Sequence, residues 1–250
     1  MSDLDITKIP EIMRANNWKN GAKLMEKWFS STEKNLPSSK ALPSKNIIKM
    51  RWVLSYSRAK KVYTKLIREK AWINTAAKKE IIKLLKRKGF LGNKKKNIGS
   101  PKLPLPAVDS YSIQYRMVGG TWDMMTGDMD DLRAALANFV FKIIIIGNVE
   151  PILTDKKKLT GEYIVTIDEV GIYVKDSYDF NDEKGEDQEL GNWDIDDNSV
   201  GRTVFNGGKT IKNSDFRNWR SKNKLGGDFI VYSDIKYLKQ TKNNTFIFKK

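Results

Sequence analysis

The stretch FVFKIIIIG, residues 139–147, is the longest apolar run in the chain. It falls far short of the ~20 residues that a helix needs to cross a bilayer. Its isoleucines and valine crowd a helix turn but suit a pleated strand, so it reads as a buried β-strand. A chain built around such a strand must supply more strands to pair with it. Candidates lie at 112–118, 160–168, 170–176, 228–233 and 243–249, with DEVG (168–171) as a hairpin turn between two of them. A short helix is expected over 129–137, where MDDLRAALA opens on acids that suit a helix N-terminus.

The first part of the chain has a different period. NIIKMRWVLSYSRAKKVYTKLIREK (46–70) spaces Ile47, Met50, Leu54, Tyr63 and Leu66 as on one helical face. TAAKKEIIKLLKRKG (75–89) repeats the pattern, with Thr75 as N-cap and Gly89 as C-cap. A helical pair interrupted near NNWKNG is expected over residues 10–30. The change of period falls at KKKNIGSPKLPLPAV (94–108), a basic stretch rich in turn formers. The expectation is an α+β fold. A basic helical region over 1–105 precedes a strand-dominated, partly open barrel-like region over 106–250.

Charge divides at the same place. Residues 1–105 carry 26 Lys and Arg against 7 Asp and Glu, a net of +19; residues 106–250 carry 20 against 23, a net of −3. Lysines on helices are usually solvated faces. A positive excess of this size also suits a polyanion, either nucleic acid or an anionic membrane surface. The chain has no Cys and no His. This excludes disulfides, thiolate metal sites and every nucleophile activated by an imidazole. A bound metal would be a hard cation on oxygen ligands. The opening MSDLDITKIP has no basic segment followed by an apolar one, so no signal peptide is expected there.

VKDSYDFND (174–182) gathers Asp176, Asp179 and Asp182 around Tyr178 at the end of an apolar strand. Residues two apart in a strand share a face, so Asp176 and Tyr178 point the same way, and a turn would bring Asp179 round to them. Crowded carboxylates need a cation. In NSDFRNWRSKNKLGGDF (213–229), Arg217 and Arg220 share a helical face and could clamp phosphate. Lys175, beside the cluster, and Lys209, in the loop FNGGKTIKN, are candidate substrate-binding residues. That loop lacks the spacing of a phosphate-binding P-loop and reads as a hairpin turn.

DSYDFN is similar to the Asp-x-Tyr-Asp motif of the colicin M family of bacteriocins. Those proteins end in a β-rich domain that hydrolyses lipid II between lipid and pyrophosphate, with Mg2+. The resemblance implies catalytic roles for Asp176, Tyr178 and Asp179, with Asp176 and Asp179 as metal ligands. The family's motif continues to a His-Arg pair. Here the corresponding stretch is EKGED, which leaves Arg217 and Arg220 as the cationic candidates.

A wider resemblance rests on IPEIMRANNWKNGAKLMEKWF, LGNWD and SDFRNWRSKNKLGGDFIVYSD. They look like an uncharacterised bacterial family found among polymorphic toxins and type VI secretion cargo. It implies an antibacterial effector made in the cytoplasm and acting in the periplasm of a target cell. A cognate immunity protein and the secretion machinery would be its partners. Two other readings stay open: a metal-dependent nuclease toxin, and a non-enzymatic membrane-disrupting or partner-binding effector.

Overall fold

The computed structural model describes residues 5–32, 43–44, 46–120, 129–182, 185–194, 196–201, 208–242 and 244–250. The fold is α+β, with helices mostly in the first part and strands in the second; its sheets are open and do not close into a barrel. The chain forms two compact units, each assembled from three segments. The first unit takes residues 1–49, 119–139 and 175–232, and the second takes 50–118, 140–174 and 233–250.

The strands, in chain order, are β1 (Pro43–Ser44), β2 (Lys96–Ile98), β3 (Ser112–Val118), β4 (Phe139–Leu153), β5 (Leu159–Tyr178) and β6 (Glu189–Asp194). They continue with β7 (Ser199–Gly201), β8 (Lys209–Lys212), β9 (Phe229–Tyr232), β10 (Lys236–Lys239) and β11 (Thr245–Lys249).

In the second unit β4 and β5 pair; β2 and β3 pair with β4, while β10 and β11 pair with β5. The apolar run of β4 is the centre of this unit's core: Phe141, Ile143, Ile144 and Ile145 are buried. Helices Ser57–Arg68 and Thr75–Arg87 bury Ala59, Tyr63, Leu66, Ile81, Leu84 and Leu85. These positions recur at helical spacing and leave the lysines outside.

Three local readings change. DEVG is not a turn: β5 runs unbroken through it, and β10 pairs with residues 169–172. Gly171 is there because Ile144 and Ile235 press on its backbone; a Cβ would sit 2.7 Å from the Ile144 side chain. The helix expected over 46–70 is broken into Met50–Val53 and Ser57–Arg68. The cap of the next helix is Asn74 rather than Thr75, because the Asn74 side chain accepts from the Ala77 amide at 2.9 Å. Gly89, at φ +66°, does end that helix.

In the first unit, helix Lys19–Ser30 buries Gly21, Ala22, Leu24, Met25 and Trp28. It packs on helix Asp131–Leu136 so closely that a Cβ on Gly21 would lie 2.9 Å from that of Ala134. The buried carboxylate of Asp131 accepts from the amides of Asn20 (3.0 Å) and Gly21 (2.8 Å) and from the Asn20 side chain (3.1 Å). It therefore caps the N-terminus of a helix 110 residues away in sequence. Asp131→Ala would leave these donors without a partner. It is expected to cost about 1–3 kcal/mol in urea unfolding, with Asp131→Asn milder.

Lys175–Tyr178 of β5 also belong to the first unit, where they pair antiparallel with β9, which pairs parallel with β1. A second sheet runs β7-β6-β8.

Candidate functional site

The acidic stretch separates into two groups with different work. The first is at the end of β5. Asp176 lies opposite Val231 and Tyr178 opposite Phe229 in the β9 register. Burial pushes the Asp176 carboxyl well above the ordinary carboxylate range. The Ser177 amide works against that shift, and the nearby Asp179 charge adds to it. The residue's outer surface is half-buried, but the carboxyl itself is crowded by protein atoms, and the crowding decides its chemistry.

Asp179 is brought round by a turn, as the pattern suggests. Its carboxylate accepts from the Ser177 hydroxyl and from the Asn181 amide at 3.1 Å. Tyr178 shares its face with Asp176 but is a core residue. Its ring stacks on Phe229 at 5.1 Å, and its hydroxyl donates to the Met25 sulfur at 3.7 Å. Burial first, and the Asp176 charge second, push the phenol pKa up, so the hydroxyl stays protonated. Lys175, one residue earlier, takes the other face with its ammonium 5.7 Å from the Tyr232 ring centre.

The second group clasps helix Asn213–Asn223. Asp182 accepts from the Arg217 guanidinium, the Asn213 side chain and the Gln188 amide. Burial acts to raise the Asp182 pKa, but the Arg217 and Asn213 hydrogen bonds outweigh it and hold the carboxyl below its usual range. Asp187 accepts from the Ser214 amide (2.9 Å) and hydroxyl (2.7 Å) at the helix start, and from Arg217 at 3.2 Å. Arg217 also donates to the Phe180 carbonyl at 2.9 Å.

Arg217 and Arg220 do not converge. Three residues apart on the helix, they find different carboxylates, Asp182 and Asp187 for Arg217 and Asp228 for Arg220. Arg220 is buried and pairs with Asp228, which also accepts from Trp28 Nε1 at 3.1 Å and from Asn181 at 3.0 Å. The Arg220 guanidinium lies 5.1 Å from the Trp28 ring centre. Around them Phe180 stacks on Phe216 at 3.8 Å, and Trp28 packs edge-on against both. Among the described residues neither arginine pairs with Asp176. The expected phosphate clamp is replaced by ion pairs within the chain, Arg217 with Asp182 and Asp187, and Arg220 with Asp228. Lys209 opens β8 opposite Trp193; residues 202–207 lie outside the described residues.

Asp176 and Asp179 are near enough for the charge of one to act on the other, while the Ser177 hydroxyl donates to Asp179. Among the described residues no group of three or more acidic side chains could hold a metal. Two carboxylates fit Mg2+ of the kind that keeps several waters and takes substrate phosphate for the rest. Asp176 and Asp179 would hold it, and its charge would offset the cost of burying the Asp176 carboxylate.

Asp187 and Asp228 escape a reading by motif, because their partners are distant in space and not in a fixed pattern. GGDF carries the one available signal: two glycines before an Asp imply a close backbone approach. Gly226 adopts φ +90°, and a Cβ there would lie 2.6 Å from the Trp28 ring.

Among the described residues no helix is long and apolar enough to cross a membrane. No curated protein and no solved structure matches the chain. One family model matches almost all of it, over residues 4–202 and 197–248. The chain therefore belongs to that family, described as a family of unknown function (DUF6402).

Proposed function

We propose that the chain is an antibacterial effector whose reaction centre is the Asp176–Asp179 end of β5. It would hydrolyse the linkage between undecaprenyl and pyrophosphate in lipid II. The observation that supports this reading is the crowded Asp176 carboxyl, with its raised pKa, near the half-buried Asp179 at a strand end where Ser177 is exposed. Pairs of carboxyl groups in unlike environments are how acid and base roles are divided in active sites.

Mg2+ held by Asp176 and Asp179 would neutralise the pyrophosphate and orient it. The chain's own groups do the rest. Without the ion, the crowded Asp176 carboxyl keeps a proton where surface carboxylates have lost theirs, and taking up Mg2+ would release it. Ser177 and Asn181 fix Asp179 so that its carboxylate can take a proton from the attacking water. Water adds to phosphorus, the P–O bond to the lipid breaks, and the departing lipid oxygen takes the proton that Asp179 has removed from the water. Arg217 and Arg220 act at a distance, by holding the helix and core that support the strand end.

In this reading the effector is made in the cytoplasm, exported by secretion machinery to the periplasm of a target cell, and neutralised in the producer by a cognate immunity protein. A second reading has its own support. The second unit carries 27 Lys and Arg against 9 Asp and Glu, a net of +18, while the first has a net of −2. That charge also suits a nuclease.

One comparison separates the two readings. Purified protein is incubated with lipid II, plasmid and RNA, each with Mg2+ and with chelator. Release of undecaprenol that needs Mg2+ supports the proposal. Loss of plasmid or RNA with intact lipid II overturns it in favour of a nuclease.

A further inference from the structure

The link between β4 and β5 is the hairpin tip Leu153-Thr-Asp-Lys-Lys-Lys-Leu159. All of residues 153–160 are exposed. Two leucines, 46% and 51% exposed, flank three consecutive lysines. Nothing in the hairpin's own folding calls for exposed leucines at both shoulders of a turn. The turn is nevertheless well built. The Thr154 amide donates to the Lys158 carbonyl at 2.8 Å, the Lys157 amide to the Thr154 carbonyl at 2.8 Å, and the Lys158 amide to Thr154 Oγ1 at 3.1 Å. Lys157 holds φ +57°, a left-handed position where Gly or Asn is less strained. Among the described residues no ion pair engages Lys156, Lys157 or Lys158.

We propose that this tip is a docking element for an anionic lipid surface. Lysine ammoniums would sit among the headgroups while Leu153 and Leu159 dip beneath them. Two observations favour lipid over nucleic acid. Exposed leucines contribute nothing to a phosphate backbone and cannot stack on bases as aromatic rings do. The unit's positive charge is 22 Lys to 5 Arg. Lysine is a hydrated point charge that suits a diffuse field, whereas Arg is the residue of bidentate phosphate and base contacts. Asp155 offsets one lysine, which leaves the tip at +2. The claim is independent of the hydrolase proposal, since capture by vesicles is read without turnover.

The test is co-sedimentation of the full chain with vesicles of phosphatidylglycerol and phosphatidylcholine, with vesicles of phosphatidylcholine alone, and a separate titration with duplex DNA. Each lysine near an anionic surface contributes about fivefold in affinity, so replacing all three with Gln should weaken binding to anionic vesicles on the order of 100-fold. Replacing all three with Arg should keep it. Leu153→Ser with Leu159→Ser should weaken vesicle binding about tenfold and leave any DNA binding unchanged. Thermal unfolding of each variant should match the parent, because every altered side chain is exposed. A Lys→Gln variant that binds anionic vesicles as the parent does overturns the proposal. So does a leucine variant with no loss. DNA binding that falls with the lysines while no vesicle binds assigns the tip to nucleic acid instead.

Discussion

Asp176→Asn is expected to remove activity by a factor on the order of 10²–10⁴ while making the folded protein more stable above the ordinary carboxylate range. The two effects share one cause. The folded carboxyl titrates well above its unfolded value because burial disfavours its charge. Between those two values the folded state holds a proton that the unfolded state has released. Stability is thus full below the unfolded pKa and is lost as pH rises through the folded one. Asparagine removes this titration, so its advantage should grow across that window and stay level above it. Melting temperature measured against pH, beside turnover of lipid II, reads both effects. A variant that loses stability at every pH and keeps its activity would show that the carboxyl only holds the strand end in place. Asp179→Asn is the companion, because a base must be ionised to act.

Arg220→Ala should act on the fold and not on the chemistry. Its guanidinium and the Asp228 carboxylate are 7% and 6% exposed. Removing one partner of a buried ion pair strands the other charge, at a cost of about 3–5 kcal/mol. Trp28 and Asn181 would still donate to Asp228, but neither carries positive charge. Urea unfolding should show the loss. Exchanging both partners together, Arg220→Met with Asp228→Asn, should recover most of it. An Arg220→Ala protein as stable as the parent would mean that the pair contributes little to the core, and its guanidinium would again be a candidate for substrate.

Much of this fold is legible in residue spacing. Burial of Tyr63, Leu66, Ile81, Leu84 and Leu85 follows the helical period, and β4 follows its β-branched run. The turn of the chain at Asp179 is legible too, since Asn and Asp cluster after the strand. What spacing cannot give is the partner of a charge. Arg217 and Arg220 do share a helix, yet the nearest carboxylate to each is set by how Asp182 and Asp228 arrive from elsewhere in the chain. Tyr178 misleads for a related reason. Its place two residues from Asp176 puts it on the same face, but the face is closed there by Phe229 and Met25. DEVG misleads because Gly permits both a turn and a close approach, and only the isoleucines around Gly171 decide between them.

The interleaving of segments has a consequence for synthesis on the ribosome. The first unit needs residues up to 232 and the second needs residues up to 250. The helices at the front of the chain must therefore wait, exposed, for strands that emerge nearly two hundred residues later. Such long-range closure is slow and leaves apolar faces open to aggregation or to a chaperone. If the proposed effector activity needs the folded chain, that delay is also an interval in which the producing cell holds it inactive.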